Sequence, residues 1–290
     1  MRGVLTLAGE GTRMLPWSRG LRKEFLPLYD RGENGRPVLK PVAHLALETL
    51  SDAGADDVTL VVGAHQLDFV RTYFTVDAAF LRRHAHHADR LVETRQFYDR
   101  VSRLRLEFAV QPKPAGFGDA VARAEPTVGR HPFLLHAADA VLLEPSRGVL
   151  PGRMARLRNR EDLDAVLLVR RVHDPRRYGV VETSPASPIE GSRRFVVRRM
   201  VEKPARPRSH WAATAVYALG PKVFDALRSV RRSKKPRELE LTDAIQSIIA
   251  GGGRVEALAL SKADGEWRSV GSPEGYDLAL RRTRRWATAR

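Results

Sequence analysis

The segment Gly3-Val4-Leu5-Thr6-Leu7-Ala8-Gly9-Glu10-Gly11-Thr12-Arg13 joins an apolar run of strand length to a loop with two glycines. Glycine permits a tight turn, and its missing side chain lets backbone amides approach an anion closely. Arg13 ends the loop with a fixed positive charge, and Lys23 follows with a mobile ammonium group. Because phosphoryl groups need positive charge at close range, we interpret the loop as a cradle for a nucleoside triphosphate.

Two commoner glycine motifs do not fit this loop. Met14 stands where the last glycine of GxGxxG would be, which weakens the assignment of a dinucleotide site. No GK[ST] sequence follows, and this weakens the assignment of a P-loop. The loop therefore indicates a different class of nucleotide-binding protein.

Strand-like and helix-like patterns alternate along the rest of the chain. Residues typical of a buried helix face recur at helical spacing at Val42, Leu45, Ala46, Thr49 and Leu50. Further apolar runs of strand length occupy residues 58–62, 104–110, 133–136 and 165–172. Such alternation predicts an α/β fold with a doubly wound, mostly parallel (mixed) sheet, whose ligands lie beyond the carboxyl ends of the strands.

The 290 residues fit one α/β domain, which we predict over 1–290. An arginine-rich helical insertion is expected at about 78–98 and a terminal helix at about 273–290. Further helices are predicted at 221–229 and 241–250, and turn-rich loops at 31–36 and 184–192.

The predicted insertion contains His84, His86 and His87. Histidine is a common metal ligand, but no carboxylate stands at a convincing ligand spacing, and arginines surround the cluster. A solvated helical insertion therefore explains these histidines better than a metal site does.

The composition limits the compartment and the membrane relation of the protein. No cysteine is present, so disulfides and thiolate metal sites are excluded and a reducing cytoplasm is the expected location. No apolar run has the length of a membrane span, and residues 1–20 carry three arginines in an interrupted apolar pattern, unlike a signal peptide. We therefore expect no membrane association.

The formal net charge of +16 raises the question of nucleic-acid binding. Only eight of the 50 basic residues are lysine, and the arginines are scattered along the whole chain. The one concentrated cluster comprises Arg281, Arg282, Arg284 and Arg285, beside Trp286. Because it lies on the predicted terminal helix, a solvated helix face is the simpler interpretation, and we expect no nucleic-acid partner.

Several segments together resemble a known family. The segment Leu21-Arg22-Lys23-Glu24-Phe25-Leu26-Pro27 follows the glycine loop, with Arg22 where the family has proline. Collinear matches continue at residues 111–120, 136–142, 178–182, 201–204, 241–245 and 271–274. In these segments the chain is similar to the sugar-1-phosphate nucleotidyltransferases, and most similar to their UTP:glucose-1-phosphate uridylyltransferase branch.

The resemblance implies a Rossmann-like nucleotidyltransferase fold and transfer of a nucleotidyl group from an NTP to a hexose 1-phosphate. In this branch the NTP is UTP and the sugar is glucose 1-phosphate. It also implies Mg²⁺ as cofactor and a homo-oligomer. The attacking phosphate oxygen is already anionic, so the reaction needs aligned cations and a metal-binding carboxylate rather than a protein base.

The resemblance also implies roles for individual residues. Arg13 and Lys23 are the expected catalytic residues, which contact the triphosphate near the reacting centre. The expected nucleotide-binding residues are Ala8, Gly9, Gly11, Thr12, Gln111 and Gly116. The amide of Gln111 suits a base edge because it can donate and accept hydrogen bonds together. Outside this context, each would be an ordinary loop residue.

Asp139 is the expected metal ligand, because a carboxylate after the strand at 133–136 can bind Mg²⁺ between substrate phosphates. Without its matching neighbours it would be interpreted as a turn or cap residue. The expected sugar-phosphate residues are Tyr178, Gly179, Glu202 and Lys203. The glutamate suits sugar hydroxyls, and the adjacent lysine suits the phosphate.

One departure concerns the metal site. Ser269 stands where related enzymes carry a second magnesium-binding aspartate. A serine hydroxyl is a neutral and weak magnesium ligand, so the site loses a full negative charge, unless Asp243 compensates. Two interpretations stay open: an enzyme with one metal carboxylate, or a degenerate homologue that binds nucleotide or nucleotide sugar without turnover and regulates a partner.

Overall fold

The structure is a computed structural model that describes residues 1–183, 193–230 and 238–289. Its strands and helices alternate along much of the chain, as the sequence pattern predicts. In chain order they are β1 (Arg2–Thr6), β2 (Pro27–Arg31), β3 (Pro37–Pro41), α1 (Val42–Asp52), β4 (Asp57–Gly63), α2 (Leu67–Tyr73), α3 (Ala78–Arg83), α4 (Val92–Arg103), β5 (Arg105–Gln111), α5 (Phe117–Arg123), α6 (Glu125–Val128), β6 (Phe133–Ala137), β7 (Ala140–Leu143), α7 (Val149–Arg160), β8 (Ala165–Arg171), β9 (Gly179–Thr183), β10 (Arg194–Glu202), β11 (Trp211–Leu219), α8 (Lys222–Ser229), α9 (Leu241–Ala250), β12 (Val255–Ala259), β13 (Glu266–Ser269) and α10 (Pro273–Thr288).

The described strands build one large mixed sheet in the order β5-β4-β1-β6-β11-β8-β12-β10-β9. Strands β5, β4, β1 and β6 are parallel, while β11 runs antiparallel between β6 and β8. The register pairs Thr6 of β1 with Val61 on one side and Ala137 on the other. The carboxyl ends of these neighbouring strands therefore lie at one edge of the sheet.

Helices cover both faces of this sheet, because consecutive strand residues point to opposite sides. Val4 belongs to the core beneath α5, α8 and α9, while Leu5 belongs to the core beneath α1, α2, α4 and α7. Residues 165–169 of β8 are fully buried, as expected for a strand covered on both faces. Each fully buried leucine in these cores stabilises the fold by about 1.5–3 kcal/mol.

A third core fixes the C-terminal helix α10 near the first loop. Leu28 of the β2–β3 hairpin, Met14, Val270 and Ala279 are buried together in it. Next to this core β13 pairs with β7 in a small antiparallel sheet, with Ser269 opposite Ala140. A late segment of the chain is thereby placed beside the end of β6.

The strands and helices agree with the sequence predictions at 58–62, 104–110, 133–136, 165–172 and 241–250, within a residue or two at each end. The predicted terminal helix is confirmed as α10, and its four clustered arginines are exposed. The predicted loop at 31–36 connects β2 to β3, whereas the predicted loop at 184–192 lies outside the described residues.

The segment predicted as a solvated helical insertion at about 78–98 is helical and lies between β4 and β5, but it is not solvated throughout and it extends further along the chain. The segment divides into α3, a 3₁₀ stretch at Ala85–Arg90 and α4, and within the 3₁₀ stretch His87 leaves the helical conformation at φ −108° and ψ 46°. Helix α4 continues to Arg103 and buries Phe97 and Val101 in the core. Two apolar residues a helical turn apart thus hold α4 against the sheet.

No helix in the described ranges is both long enough and apolar enough to cross a membrane.

The start of α7 packs tightly on the end of α1. Gly148 caps α7 with φ 76°, and a Cβ atom there would lie 2.5 Å from the backbone nitrogen of Ala53. Gly54 also has positive φ, at 96°, but a Cβ atom there would meet nothing within 4 Å. The two glycines share a conformational requirement and differ in available space.

We expect Gly148→Ala to lower the free energy of unfolding by about 2–5 kcal/mol, since it adds overpacking to left-handed strain. Gly54→Ala, the matched control, should cost only the strain of about 1–2 kcal/mol. Urea denaturation followed by circular dichroism measures both. Equal losses in the two variants would contradict the close packing of α7 on α1.

Candidate active site

Two adjoining clefts lie at the carboxyl ends of the parallel strands. The cradle cleft, of about 270 Å³, is lined by the glycine loop and by Gln111 and Gly116. The main cleft, of about 520 Å³, is lined by Arg13, Tyr178, Gly179, Glu202 and Lys203, among others. The residues common to both are Lys23, Phe117, Ala137, Asp139 and Glu238.

Every site residue predicted from the sequence lines one of these clefts. Those in the cradle cleft include Ala8, Gly9, Gly11, Thr12, Gln111 and Gly116. The fold thus brings the predicted nucleotide residues next to the predicted sugar-phosphate residues. The roles assigned to them stay predictions.

An ion pair marks the junction of the two clefts. The Nζ atom of Lys23 lies 2.5 Å from Oδ2 of Asp139 and 3.8 Å from Oε1 of Glu24. Burial would lower the pKa of Lys23, but the charges of Asp139 and Glu24 raise it above its ordinary value. Burial would raise the pKa of Asp139, but Lys23 and Arg13 lower it. Both groups are therefore charged at neutral pH.

Glu24 is buried beside this ion pair, and the sequence analysis assigned it no role. Its side chain lines the cradle cleft, and Oε2 has no hydrogen-bond partner in the described structure. Burial raises the pKa of Glu24 to about 7, although the ammonium group of Lys23 acts against this rise. A carboxyl that titrates near neutrality therefore lies against the cradle.

The cradle cleft is closed on one side by the loop before α5. The Nε2 atom of Gln111 donates to the carbonyl oxygen of Gly116 at 3.1 Å and to Oδ2 of Asp119 at 2.9 Å. Gly116 has φ 104°, and a Cβ atom there would lie 2.4 Å from the carbonyl oxygen of Leu239. Only glycine fits this position, so the loop lies directly on the segment before α9.

The main cleft presents carboxylates and hydroxyls near Gly179. Thr242 Oγ1 donates to Oε2 of Glu202 at 2.7 Å, and a Cβ atom on Gly179 would lie 3.4 Å from that same oxygen. Lys203 lies 2.9 Å from Glu202 and 3.7 Å from Glu240. This polar wall can exchange its internal hydrogen bonds for those of a ligand that carries several hydroxyl groups.

Lys203 occupies a strained backbone conformation in this wall. Its φ of 40° lies in the left-handed region, and Pro204 follows it. A non-glycine residue there costs about 1–3 kcal/mol, and such strain concentrates at ligand sites. Burial would lower the pKa of Lys203, but the carboxylate of Glu202 raises it, so the ammonium group stays charged.

Ser269 lies beside Asp139, as expected from its position in the family resemblance, where related enzymes carry the second metal-binding aspartate. A Cβ atom at Gly271 would lie 3.2 Å from Nη2 of Arg13, 3.3 Å from Oγ of Ser269 and 3.6 Å from Oδ2 of Asp139. These three polar atoms therefore surround one small space. The Gly271 amide donates to Oγ of Ser269 at 3.2 Å.

The donor set at this space suits a metal ion that arrives with a phosphate ligand. Within 1–183, 193–230 and 238–289, no cluster of three or more His, Cys, Asp or Glu is placed to hold a metal by itself. Mg²⁺ commonly uses one or two carboxylates together with substrate phosphates. Asp139, 24% exposed at the junction, meets that requirement as a single carboxylate.

The structure also adds residues that the sequence analysis did not single out as ligands. They line the main cleft and comprise Arg170, Arg177, Arg268, Glu240 and Thr242. The position of Arg170 near the end of a predicted strand was an available signal, since ligands bind beyond such ends. Asp243 lies in the first turn of α9, and its neighbour Thr242 provides the cleft contact.

The sequence model of the nucleotidyl transferase family matches residues 2–284. A glucose-1-phosphate thymidylyltransferase of Streptomyces griseus is 27% identical over 272 residues, which are 94% of this chain and 63% of that protein. The chain thus spans less than two thirds of the length of this curated relative.

Another relative is UTP–glucose-1-phosphate uridylyltransferase 2 of Streptococcus pyogenes serotype M3. It is 28% identical over 253 residues, which cover 85% of this chain and 79% of that protein. Among solved structures, a UDP-glucose pyrophosphorylase complexed with UDP-glucose superposes with a TM-score of 0.82 at 22% identity, over 98% of both chains. This last likeness shows that the two chains share an α/β fold.

The buried Glu24 generates a prediction about pH. Below about pH 7 the carboxyl of Glu24 is neutral. Above about pH 7 the ligand-free protein gains a negative charge beside the cradle, and this charge would repel the negative phosphates of a triphosphate. If the cradle binds a nucleoside triphosphate, as the sequence predicts, its affinity for UTP as the probe should fall by about three- to tenfold as the pH rises from about 6.5 to about 8, in addition to any change caused by ionisation of UTP itself. Isothermal titration calorimetry across this range measures the step.

Glu24→Gln cannot ionise and should lose this step. Glu10→Gln, which removes an exposed carboxylate of the same loop, should keep it. Superimposable pH profiles of the wild type and Glu24→Gln would contradict the assignment.

Proposed function

Because this chain belongs to the nucleotidyl transferase family, we propose that it transfers a nucleotidyl group from an NTP to a hexose 1-phosphate and releases pyrophosphate. The observation that carries the proposal is the Lys23–Asp139 ion pair at the junction of the two clefts. One cleft has a glycine loop suited to a triphosphate, and the other has carboxylates and a lysine suited to a sugar phosphate. The reacting phosphates would meet between them.

In this reaction an oxygen of the sugar phosphate forms a bond to the α-phosphorus of the NTP. The bond from that phosphorus to the bridging oxygen breaks, and pyrophosphate leaves with the electron pair. The nucleophile is already anionic, so the protein has to align two anions and neutralise charge rather than remove a proton.

The charged residues at the junction suit these tasks. Lys23 is held between the clefts by Asp139, and Arg13 lies within the same small space near Gly271. Oriented cations in a partly dehydrated site stabilise charge on phosphate oxygens more strongly than water does. We propose that substrate phosphates replace Asp139 as the partner of Lys23 and release the carboxylate for a cation.

Asp139 would hold Mg²⁺, with the hydroxyl of Ser269 as a weak neighbour. When bound, Mg²⁺ would neutralise negative charge on the substrate phosphates. Because Ser269 carries no charge, Asp139 would be the single carboxylate ligand of the ion, and we expect weak binding of the cation.

We propose UTP and glucose 1-phosphate as the first substrate pair, on the resemblance of the sequence segments to the uridylyltransferase branch. A relative named a thymidylyltransferase makes dTTP the principal competitor. A single domain over 1–290 and assembly into a homo-oligomer stay predictions of the sequence.

The proposal is tested by pyrophosphate release from the purified protein. The screen combines UTP, dTTP and the other common NTPs with several hexose 1-phosphates, in the presence of Mg²⁺. Release with one pair identifies the base and the sugar. If no pair reacts while UTP still raises the melting temperature, the chain binds nucleotide without turnover, which is the alternative that Ser269 suggests.

Removing a junction cation should impair catalysis without unfolding the protein. We expect Arg13→Ala and Lys23→Ala each to lower kcat by about 10²–10³-fold, because each removes charge stabilisation at the phosphates. Steady-state kinetics measure the loss, and Arg19→Ala, an exposed arginine of the same loop region, serves as the control. A folded variant with the wild-type rate would refute the proposed role of that residue.

The metal site gives a second kinetic prediction. We expect the wild-type enzyme to need a high Mg²⁺ concentration for activity, and Asp139→Asn to lose most of the dependence of its rate on Mg²⁺. Ser269→Asp restores a charged oxygen ligand, so its rate should reach half-maximum at a lower Mg²⁺ concentration. Ser269→Asn is the matched neutral control and should not tighten it. Titration of Mg²⁺ against rate gives the midpoints, and equal midpoints for wild type and Ser269→Asp would contradict the weakened site.

A further inference from the structure

Two arginines border the main cleft near Ser269, which stands where the family resemblance predicts a second metal-binding carboxylate. Arg170 is in β8, close to its carboxyl end, and Arg268 directly precedes Ser269 in β13. Both line the main cleft together with Tyr178 and Glu202, and neither is among the residues that line the cradle cleft. Their charge is therefore additional to that of the cradle residues.

Aromatic contacts hold Arg170 in place. Its Cζ atom lies 4.6 Å from the ring centroid of Trp267 and 5.5 Å from that of Tyr178. Its Nη2 atom donates to the hydroxyl oxygen of Tyr178 at 3.2 Å. These contacts orient the guanidinium group before any ligand binds, which lowers the entropic cost of binding an anion.

The charge of Arg170 is not neutralised within the described ranges. No carboxylate there lies within ion-pair distance of it, and its Nε atom is buried without a hydrogen-bond partner. A buried charged donor without a partner is costly, and the cost is recovered when an anion accepts its hydrogen bonds.

Arg268 shares a single carboxylate with another arginine. It pairs with Glu266, which also lies 3.7 Å from Nε of Arg282. The Nε atom of Arg268 is buried without a hydrogen-bond partner. Burial lowers the pKa of Arg268, and the positive charges of Arg282 and Arg170 lower it further. Arg170 stacks on Trp267, the residue before Arg268, so the two cleft arginines are neighbours, and an anion bound between them would relieve their repulsion.

We propose that Arg170 and Arg268 bind the phosphate group of the sugar 1-phosphate, an inference that rests on the proposed nucleotidyl transfer. Guanidinium groups match phosphate oxygens with paired hydrogen bonds. The sugar phosphate is favoured over the triphosphate because Arg170 is held by Tyr178, which lines the cleft of Glu202 and Lys203. The arginines supply fixed positive charge beside Ser269, where a metal ion would be held by one carboxylate instead of two.

The test compares Arg170→Met and Arg268→Met with Arg282→Met. Methionine keeps an apolar stem and removes the charge, and Arg282 shares Glu266 without lining either cleft. Calorimetry in the absence of turnover measures the binding of α-glucose 1-phosphate. If the wild type prefers another hexose 1-phosphate, the binding of that sugar phosphate is measured as well. UTP binding is measured separately.

We expect the Kd of the sugar phosphate to rise at least about tenfold in each cleft variant, because each loses hydrogen bonds to a charged group. The Kd of UTP should change less than about twofold, and Arg282→Met should change neither. In turnover assays the KM for the sugar phosphate should rise while the KM for UTP stays constant. Arg170→Lys and Arg268→Lys keep the positive charge but lose the paired hydrogen-bond donors of the guanidinium group, so their Kd for the sugar phosphate should lie between those of the wild type and the methionine variants. If the methionine variants misfold, the lysine variants serve as the test in their place.

Two results would overturn the inference. One is a wild-type Kd for the sugar phosphate in the folded cleft variants, and the other is weakened UTP binding with sugar-phosphate binding intact. If turnover persists in the wild type while either result is found, only the arginine assignment fails. If the wild type binds UTP but neither binds nor converts any hexose 1-phosphate, the proposed function fails with it.

Discussion

The in-register parallel pairing of β1 with β6 is the constraint on which the site depends. Thr6 lies opposite Ala137, so both strands end at the same level of the sheet. The glycine loop leaves β1 at the point where Asp139 follows β6, and the Lys23–Asp139 ion pair then connects the two. A shift of this register by one residue would reverse the faces of the strand and separate the loop from the carboxylate.

The small β7–β13 sheet completes the site from the far end of the chain. Its register places Ser269 opposite Ala140, and the Val270 amide donates to the carbonyl oxygen of Asp139 at 2.9 Å. Helix α10 then packs on the β2–β3 hairpin, so the third core fixes this arrangement. The chemistry beside Asp139 is therefore set by a segment that is remote in sequence.

Charge in the two clefts follows a consistent division. The junction pairs one lysine with two carboxylates, whereas the side near Ser269 carries arginines with few acidic partners. An anionic substrate group gains most where positive charge is already desolvated and oriented. The family resemblance predicts a second metal-binding carboxylate where Ser269 stands, and we infer that the nearby arginines and this serine are parts of one redistribution of charge within the same site.

The sequence by itself determined the local elements and the family resemblance. Apolar runs located the strands of the parallel half, and the glycine loop with Arg13 and Lys23 located the cradle, because these signals depend on residues close together in the chain. Local patterns also indicated Asp139, Glu202 and Lys203 through collinear motifs. The division of the 78–98 segment escaped this reasoning, because these residues include no strong breaker such as proline or glycine.

Only the tertiary structure decided which distant residues meet. The insertion of β11 antiparallel between β6 and β8, the burial of Glu24, and the approach of Arg170 to Arg268 depend on long-range pairing. Periodicity reports which face of an element is buried, but it carries no information about which strand lies next to it. The side chains that tune this site therefore became visible only when the sheet order brought them together.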